Sequence, residues 1–267
     1  MVINEHIHPY KDKHSVKEAV ISFYLQHCDV VPETFRKLLS EKGAVSNFYQ
    51  KFETVTEVSV DISLGWDTKV NRVQDAGFKF TGFKNGNTSK VVQCINQPIQ
   101  TVFTFNELEY TSWEEYLPVS METAKEIANL LSQNRLMAFN LLYIDEFYYD
   151  KGSSYSASDL FNLDSRTLPK GLADSPLVDY HLVLNKKVKD QSYTDSLNIK
   201  VLDADMRKTI RIINSVTYPL TKRIGWLSYL ESGEIVDLLN YAHQSNKQLL
   251  NEILNKEIAK EIGVCVC

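Results

Sequence analysis

The period of apolar and polar positions changes several times along the chain, and each change marks an element. Residues 16–25, Val-Lys-Glu-Ala-Val-Ile-Ser-Phe-Tyr-Leu, read as a first strand. Pro32 opens a helix, with Phe35, Leu38 and Leu39 at helical spacing and Gly43 as its stop. From Phe52 the period is two. Val58, Val60, Ile62, Leu64 and Trp66 alternate with polar residues, so one face of a long strand is expected to be buried. Phe78 and Phe80 open another strand, Asn85-Gly86-Asn87 signals a turn, and residues 91–95 return from it. Gln97-Pro98 turns the chain again into residues 101–105, with Phe103 and Phe105 on one face. This stretch reads as an antiparallel meander.

Ser112-Trp113-Glu114-Glu115 then fits a capping box, in which the serine caps an amide three residues on and the glutamate reaches back. The helix runs through Ile127, Leu130 and Leu131, and Pro118 is expected to kink or restart it. The second half is similar in kind. Residues 138–149 form an aromatic-rich strand, 156–161 a short helix, and 177–188, 197–202 and 209–217 three strands. A last helix is expected from Ser232 to about Ile262, with one apolar stripe from Ile235 and Leu238 to Ile258 and Ile262. At about 1.5 Å per residue it would reach on the order of 40 Å, enough to cross the body or project toward a partner. The expected fold class is therefore α+β, with antiparallel sheets and two long helices. Each half reads strand, helix, several antiparallel strands, long helix. A structural duplication into two halves, 1–135 and 136–267, is the organisation this suggests, although the halves share no residue-level identity.

Composition narrows the class without naming a reaction. Of 267 residues, 43% are hydrophobic, enough for a core that offsets chain entropy. Ten Gly and seven Pro are too few for long flexible linkers. The net charge of −5 argues against a general nucleic-acid binder. The polar, His-rich start lacks an apolar signal segment, and no run reaches the roughly 20 apolar residues of a membrane span. Cys28, Cys94, Cys265 and Cys267 are scattered or terminal, which is not a disulfide framework. A cytoplasmic protein without membrane contact is the expectation.

Several segments carry a family resemblance. Gly77-Phe78-Lys79-Phe80, Lys90-Val91-Val92-Gln93 and Phe103-Thr104-Phe105-Asn106 lead into Tyr110-Thr111-Ser112-Trp113-Glu114-Glu115-Tyr116-Leu117-Pro118. This resembles a sporadically distributed family of uncharacterised bacterial proteins, in which a strand meander runs into a Tyr-Thr-Ser-Trp-Glu-Glu-Phe-Leu helix start. Asn140-Leu141-Leu142-Tyr143-Ile144-Asp145-Glu146-Phe147 stands where that family has Gly-Leu-Arg-Tyr-Ile-Asn-Arg-Ile, keeping the Leu, Tyr and Ile. Glu18-Ala19-Val20-Ile21 fits its opening strand and Leu239-Asn240-Tyr241-Ala242-His243 its final helix. The resemblance brings no activity with it. The family's scattered distribution implies mobile genes, such as those of defence or toxin–antitoxin systems.

The residues that could carry function each have a plainer reading beside them. Tyr110 and Trp113 are binding anchors or core packing around a helix start. Tyr143, Asp145 and His243 would be acid–base groups if they met in a cleft, and hydrogen-bonded core groups otherwise. Asp145 and Glu146 are adjacent, so a strand sends them to opposite faces, one paired and one solvated. His6, His8 and His14 with Asp12 lack a firm third and fourth metal ligand, so no metal site is expected. His27-Cys28-Asp29 reads as a strand end rather than a catalytic dyad. Cys265-Val266-Cys267 reads as a flexible end. No phosphate loop or dinucleotide fingerprint is present, and no cofactor is expected.

One charge feature stands apart. Residues 186–223 hold nine basic and four acidic residues, net +5, which leaves −10 for the rest. Lys208 and Arg211 lie at its centre, and the segment could face nucleic acid or an acidic partner. Three readings follow. The first is a non-enzymatic protein-interaction component, such as an antitoxin or accessory subunit of a bacterial defence or toxin–antitoxin system, with another protein as partner. The second is a nucleic-acid-binding module using 186–223. The third is an enzyme of unrecognised class using Tyr143, Asp145 and His243.

Overall fold

The computed structural model describes residues 7–11, 14–62, 68–150, 160–170, 179–188, 191–203 and 207–264. Its strands are β1 (Ile7–Pro9), β2 (Val16–Gln26), β3 (Lys51–Ile62), β4 (Thr68–Lys84), β5 (Asn87–Asn96), β6 (Gln100–Glu107), β7 (Arg135–Asp150), β8 (Asp179–Val188), β9 (Gln191–Asp203) and β10 (Arg207–Gly225). Its helices are α1 (Pro32–Arg36), α2 (Ala44–Phe48), α3 (Trp113–Asn129), α4 (Trp226–Glu231), α5 (Glu234–Ile253) and α6 (Lys256–Glu261). The strands form one sheet in the order β3-β4-β5-β6-β2-β7-β10-β9-β8, with β1 beside β7.

This corrects the expected fold class. The described residues are mostly strand, gathered in one large antiparallel sheet with several separate helices, so the expected α+β fold organised around two long helices does not hold. The reason is strand length. The strands run on through polar stretches to which the sequence pattern gave no element, so β4 is 17 residues long and β10 is 19. Compactness groups the chain differently from its order in sequence. The chain divides into two compact units, 1–19 with 140–218 and 236–267, and 20–139 with 219–235, each drawn from separated stretches.

In the unit containing 20–139, the β4–β5 hairpin turns on Asn85 and Gly86, both at positive φ (51° and 82°). That is the two-residue turn whose twist matches the flanking strands. Phe78 stacks on Phe35 at 4.6 Å, and Phe103 and Phe23 meet Trp226 at 5.0 and 5.4 Å. A Cβ on Gly77 would lie 1.9 Å from the Cys94 carbonyl oxygen, so only glycine fits where β4 approaches β5.

Helix α3 starts as the sequence indicates, with half of the capping box. Ser112 Oγ accepts from the Glu115 amide at 3.2 Å, but the Glu115 carboxylate takes the Thr111 hydroxyl at 2.5 Å instead of reaching back. Pro118 lies inside the helix, which runs on without a break to Asn129. Proline brings no amide to the helix ladder, and Pro118 stands at an exposed position of the helix, where the missing donor is least costly. Ser112→Ala is expected to cost about 1 kcal/mol, read as a lower urea midpoint at unchanged slope.

In the other unit, Phe147 of β7, Leu197 and Ile199 of β9, and Ile210 and Ile212 of β10 share a core with Leu250, Ile253, Leu254, Ile258 and Ile262. The apolar stripe of the last helix is thus buried as expected, but the helix is not continuous. Leu254 makes an antiparallel bridge with Phe161. The Asn162 amide donates to the Ile253 carbonyl at 2.9 Å and the Asn255 amide to the Leu160 carbonyl at 2.8 Å. Asn255 then caps α6 by accepting from the Glu257 amide at 3.1 Å. The chain bends there and stays packed instead of projecting. Most of the helix expected at 156–161 lies outside the described residues.

Candidate functional site

Period two places Tyr143, Asp145 and Phe147 on one face of β7 and Glu146 on the other. On the first face, Tyr143 and His243 of α5 do meet, the tyrosine hydroxyl 2.8 Å from His243 Nδ1. Asp145 is held by a different residue: Ser15 donates its hydroxyl to Oδ1 at 2.6 Å. Among the described residues Oδ2 has no hydrogen-bond partner, nor has Oδ1 of Asn246, one turn beyond His243 on α5. Burial pushes the Asp145 carboxyl up to about 6, against the lowering effect of the Ser15 bond. Tyr143, Asp145 and His243 are 2%, 0% and 4% exposed. A substrate cannot reach groups with so little open surface, so this face offers a structural polar strip under α5, not a cleft.

The second face carries an ion-pair network. Glu146 accepts from Arg211 Nε and Nη2 of β10 at 3.0 and 2.8 Å, from Lys17 Nζ of β2 at 3.0 and 3.2 Å, and from the Tyr148 hydroxyl at 2.8 Å. Burial by itself would raise the Glu146 pKa, but these donors outweigh it and hold the carboxyl below its ordinary range. Neither carboxylate is solvated, unlike the sequence expectation of one paired and one exposed. Arg211 is thus committed to Glu146, and Lys186 to Asp195 at 2.6 Å. Lys208 stands opposite Asp203 in the β9–β10 ladder.

Tyr110 and Trp113 are buried and meet the Tyr116 ring edge-on at 6.1 and 5.9 Å. They pack the start of α3. Beside them, Thr111, Glu115 and Tyr116 line a cavity of about 130 Å³ together with Lys90 and Glu107. Its named polar groups already hold one another: Lys90 pairs with Glu107, Thr111 with Glu115, and the Tyr116 hydroxyl with the Phe105 carbonyl at 2.6 Å. His27 Nδ1 lies 2.9 Å from the Gln97 carbonyl oxygen, and burial raises the Cys28 thiol pKa, so this pair lacks an activated thiolate. Among the described residues no His, Cys, Asp and Glu cluster could hold a metal ion. His6, Asp12, Cys265 and Cys267 lie outside them. No helix among the described residues is long and apolar enough to cross a membrane.

The surface that sequence reading missed is the edge of the sheet. β8 ends the strand order, and all ten of its residues pair with β9 without a bulge. Tyr180 and Leu182 pack against the core from this last strand, and Leu184 follows on the same face at 37% exposure. On the reverse face His181, Val183, Asn185 and Lys187 are exposed, Val183 at 50%. The chain's similarity to known proteins adds nothing to this geometry: no protein-family model matches it, and neither does any curated protein.

Proposed function

We propose that the protein is a cytoplasmic, non-enzymatic interaction component that binds another chain along the outer edge of β8. One observation carries the reading. Among the described residues, a regular ten-residue strand with exposed Val183 and Leu184 ends the sheet. Such an edge presents a row of backbone donors and acceptors that a further strand can satisfy. Leu184 extends the row of Tyr180 and Leu182, so an added strand would gain apolar contact as well as backbone bonds. The finer form, an antitoxin or accessory subunit of a defence or toxin–antitoxin system, draws only on the sequence resemblance. The nucleic-acid reading gains no support from Arg211 and Lys186, whose charges are answered by Glu146 and Asp195.

The test is affinity purification of the tagged full chain from its native host, wild type beside Leu184→Lys, with intact-mass analysis of the eluate. A stoichiometric chain, foreign or a second copy, should accompany the wild type and be lost from the variant. Equal retention by both, or a wild type that brings no chain with it, would overturn the edge reading.

A further inference from the structure

We infer that the occupant of the β8 edge is β8 of a second copy, paired antiparallel about a two-fold axis through Val183. This rests on the edge being the binding surface and adds the partner and its register. The argument lies in the order Asp179-Tyr180-His181-Leu182-Val183-Leu184-Asn185-Lys186-Lys187. Antiparallel self-pairing centred on Val183 sets Leu182 across from Leu184 of the other copy, twice, and Val183 across from itself. It sets His181 across from Asn185, Tyr180 across from Lys186, and Asp179 across from Lys187. Apolar positions meet apolar ones, and the acidic end of the strand meets the basic end.

Parity supports the same register. Tyr180, Leu182 and Leu184 share the face that packs on the core, and Val183, Asn185 and Lys187 the reverse face. The Val183-centred register pairs even positions with even and odd with odd. The apolar row of each copy therefore continues into that of the other on the same side of the joined sheet. Charge separates this arrangement from its rivals. The two Lys187 positions are eight residue steps apart along the paired strands, about 27 Å at 3.4 Å per residue. That exceeds the screening length of about 8 Å at physiological salt. Parallel in-register pairing would set Lys186 and Lys187 about 5 Å from their own copies, where like charges repel.

The experiment is the mass of the full chain in solution by light scattering and sedimentation across a concentration series. Wild type should be a dimer that dissociates on dilution. Val183→Lys sets two ammonium groups across the axis, on a face turned away from the core, and should raise the dissociation constant tenfold or more while leaving the melting curve of the monomer unchanged. Lys187→Asp should weaken the dimer by opposing Asp179, and adding Asp179→Lys to it should restore the wild-type constant. Val183→Cys, oxidised, should yield a dimer joined residue 183 to residue 183, since Cα separations of about 4.5–5.5 Å in antiparallel pairs suit a disulfide. A wild type that is monomeric at every concentration overturns the inference, as does a dimer indifferent to Val183→Lys. A monomeric wild type that binds a foreign chain and loses it on Leu184→Lys sinks self-pairing alone. A monomer that binds nothing sinks the edge reading with it.

Discussion

Trp226→Ala is expected to destabilise the protein by about 4 kcal/mol, the range seen when a fully buried aromatic is truncated to alanine. Trp226 has no exposed surface and touches two rings of its own unit, Phe103 at 5.0 Å and Phe23 at 5.4 Å. It opens α4, and its backbone amide donates to the Asn134 carbonyl at 2.9 Å. Alanine keeps that backbone bond and removes the rings' shared neighbour, so the loss is one of packing rather than of helix initiation. Phenylalanine should cost clearly less. It refills much of the space, and the indole Nε1 it removes has no hydrogen-bond partner among the described residues, so no satisfied bond is forfeited. Urea titrations of the three proteins check the order. Equal losses for alanine and phenylalanine would mean that the indole nitrogen is bonded in solution.

The meander around that tryptophan was legible because its signals are local. Asn85-Gly86 names a two-residue turn, Phe78 with Phe80 and Phe103 with Phe105 give period two, and Ser112 caps the next helix. The opposite faces taken by Asp145 and Glu146 follow from the same period. Where reading went astray, a local signal was outvoted by a longer pattern. Asn255 followed by Glu257 is an N-cap with an acid in the first turn, and it does start α6. The apolar stripe runs across it, however, and the stripe suggested one long helix. The bridge between Leu254 and Phe161 that bends the chain joins residues far apart in sequence and leaves no trace in either segment.

The candidate site was less legible for the same physical reason. That Tyr143 would find His243, a hundred residues on, could be entertained from residue types alone, but the burial that closes the pair to substrate could not. Lys17 and Arg211 both reach Glu146 because β2 and β10 flank β7, and strand order is not written in any one strand. The β8 edge was hidden twice over. Its residues read as one of three ordinary strands, and only the sheet order makes it the last. Its lysines read as part of a basic face, whereas Lys186 is bound to Asp195 in the neighbouring strand. The net charge of a segment says little until the sheet shows which charges already face each other.

Asp145→Asn is expected to be nearly neutral near pH 4 and to stabilise the protein by about 3 kcal/mol at pH 8. The folded-state pKa of Asp145 is raised from an ordinary 3.8 to about 6, with burial the cause and the Ser15 hydrogen bond opposing it. A carboxyl with a raised folded pKa binds its proton more tightly folded than unfolded. Stability from this group is therefore full below about pH 4, falls as pH rises to about 6, and stays low above it. Two pKa units at about 1.4 kcal/mol each give the magnitude. Glu146 and Glu252 of α5, which accepts from the Ser165 and Thr167 hydroxyls at 3.1 and 2.8 Å, act in the opposite sense. Their folded pKa values lie below the ordinary range, so what they contribute is present above it and lost as acid protonates them. The wild-type profile alone mixes these trends, whereas the difference between wild type and Asp145→Asn isolates one residue. Asparagine keeps an oxygen for the Ser15 hydroxyl and carries no charge at any pH, so it stands in for the protonated acid. Tyr143 and His243 also lie on that buried strip and are unchanged in the variant. Urea midpoints at half-unit steps from pH 4 to 8 give the curve. A difference that grows through pH 4–6 and then levels locates the buried proton at Asp145. A flat difference would mean that water reaches the Asp145 oxygen that lacks a protein partner, and that the strip under α5 is wet.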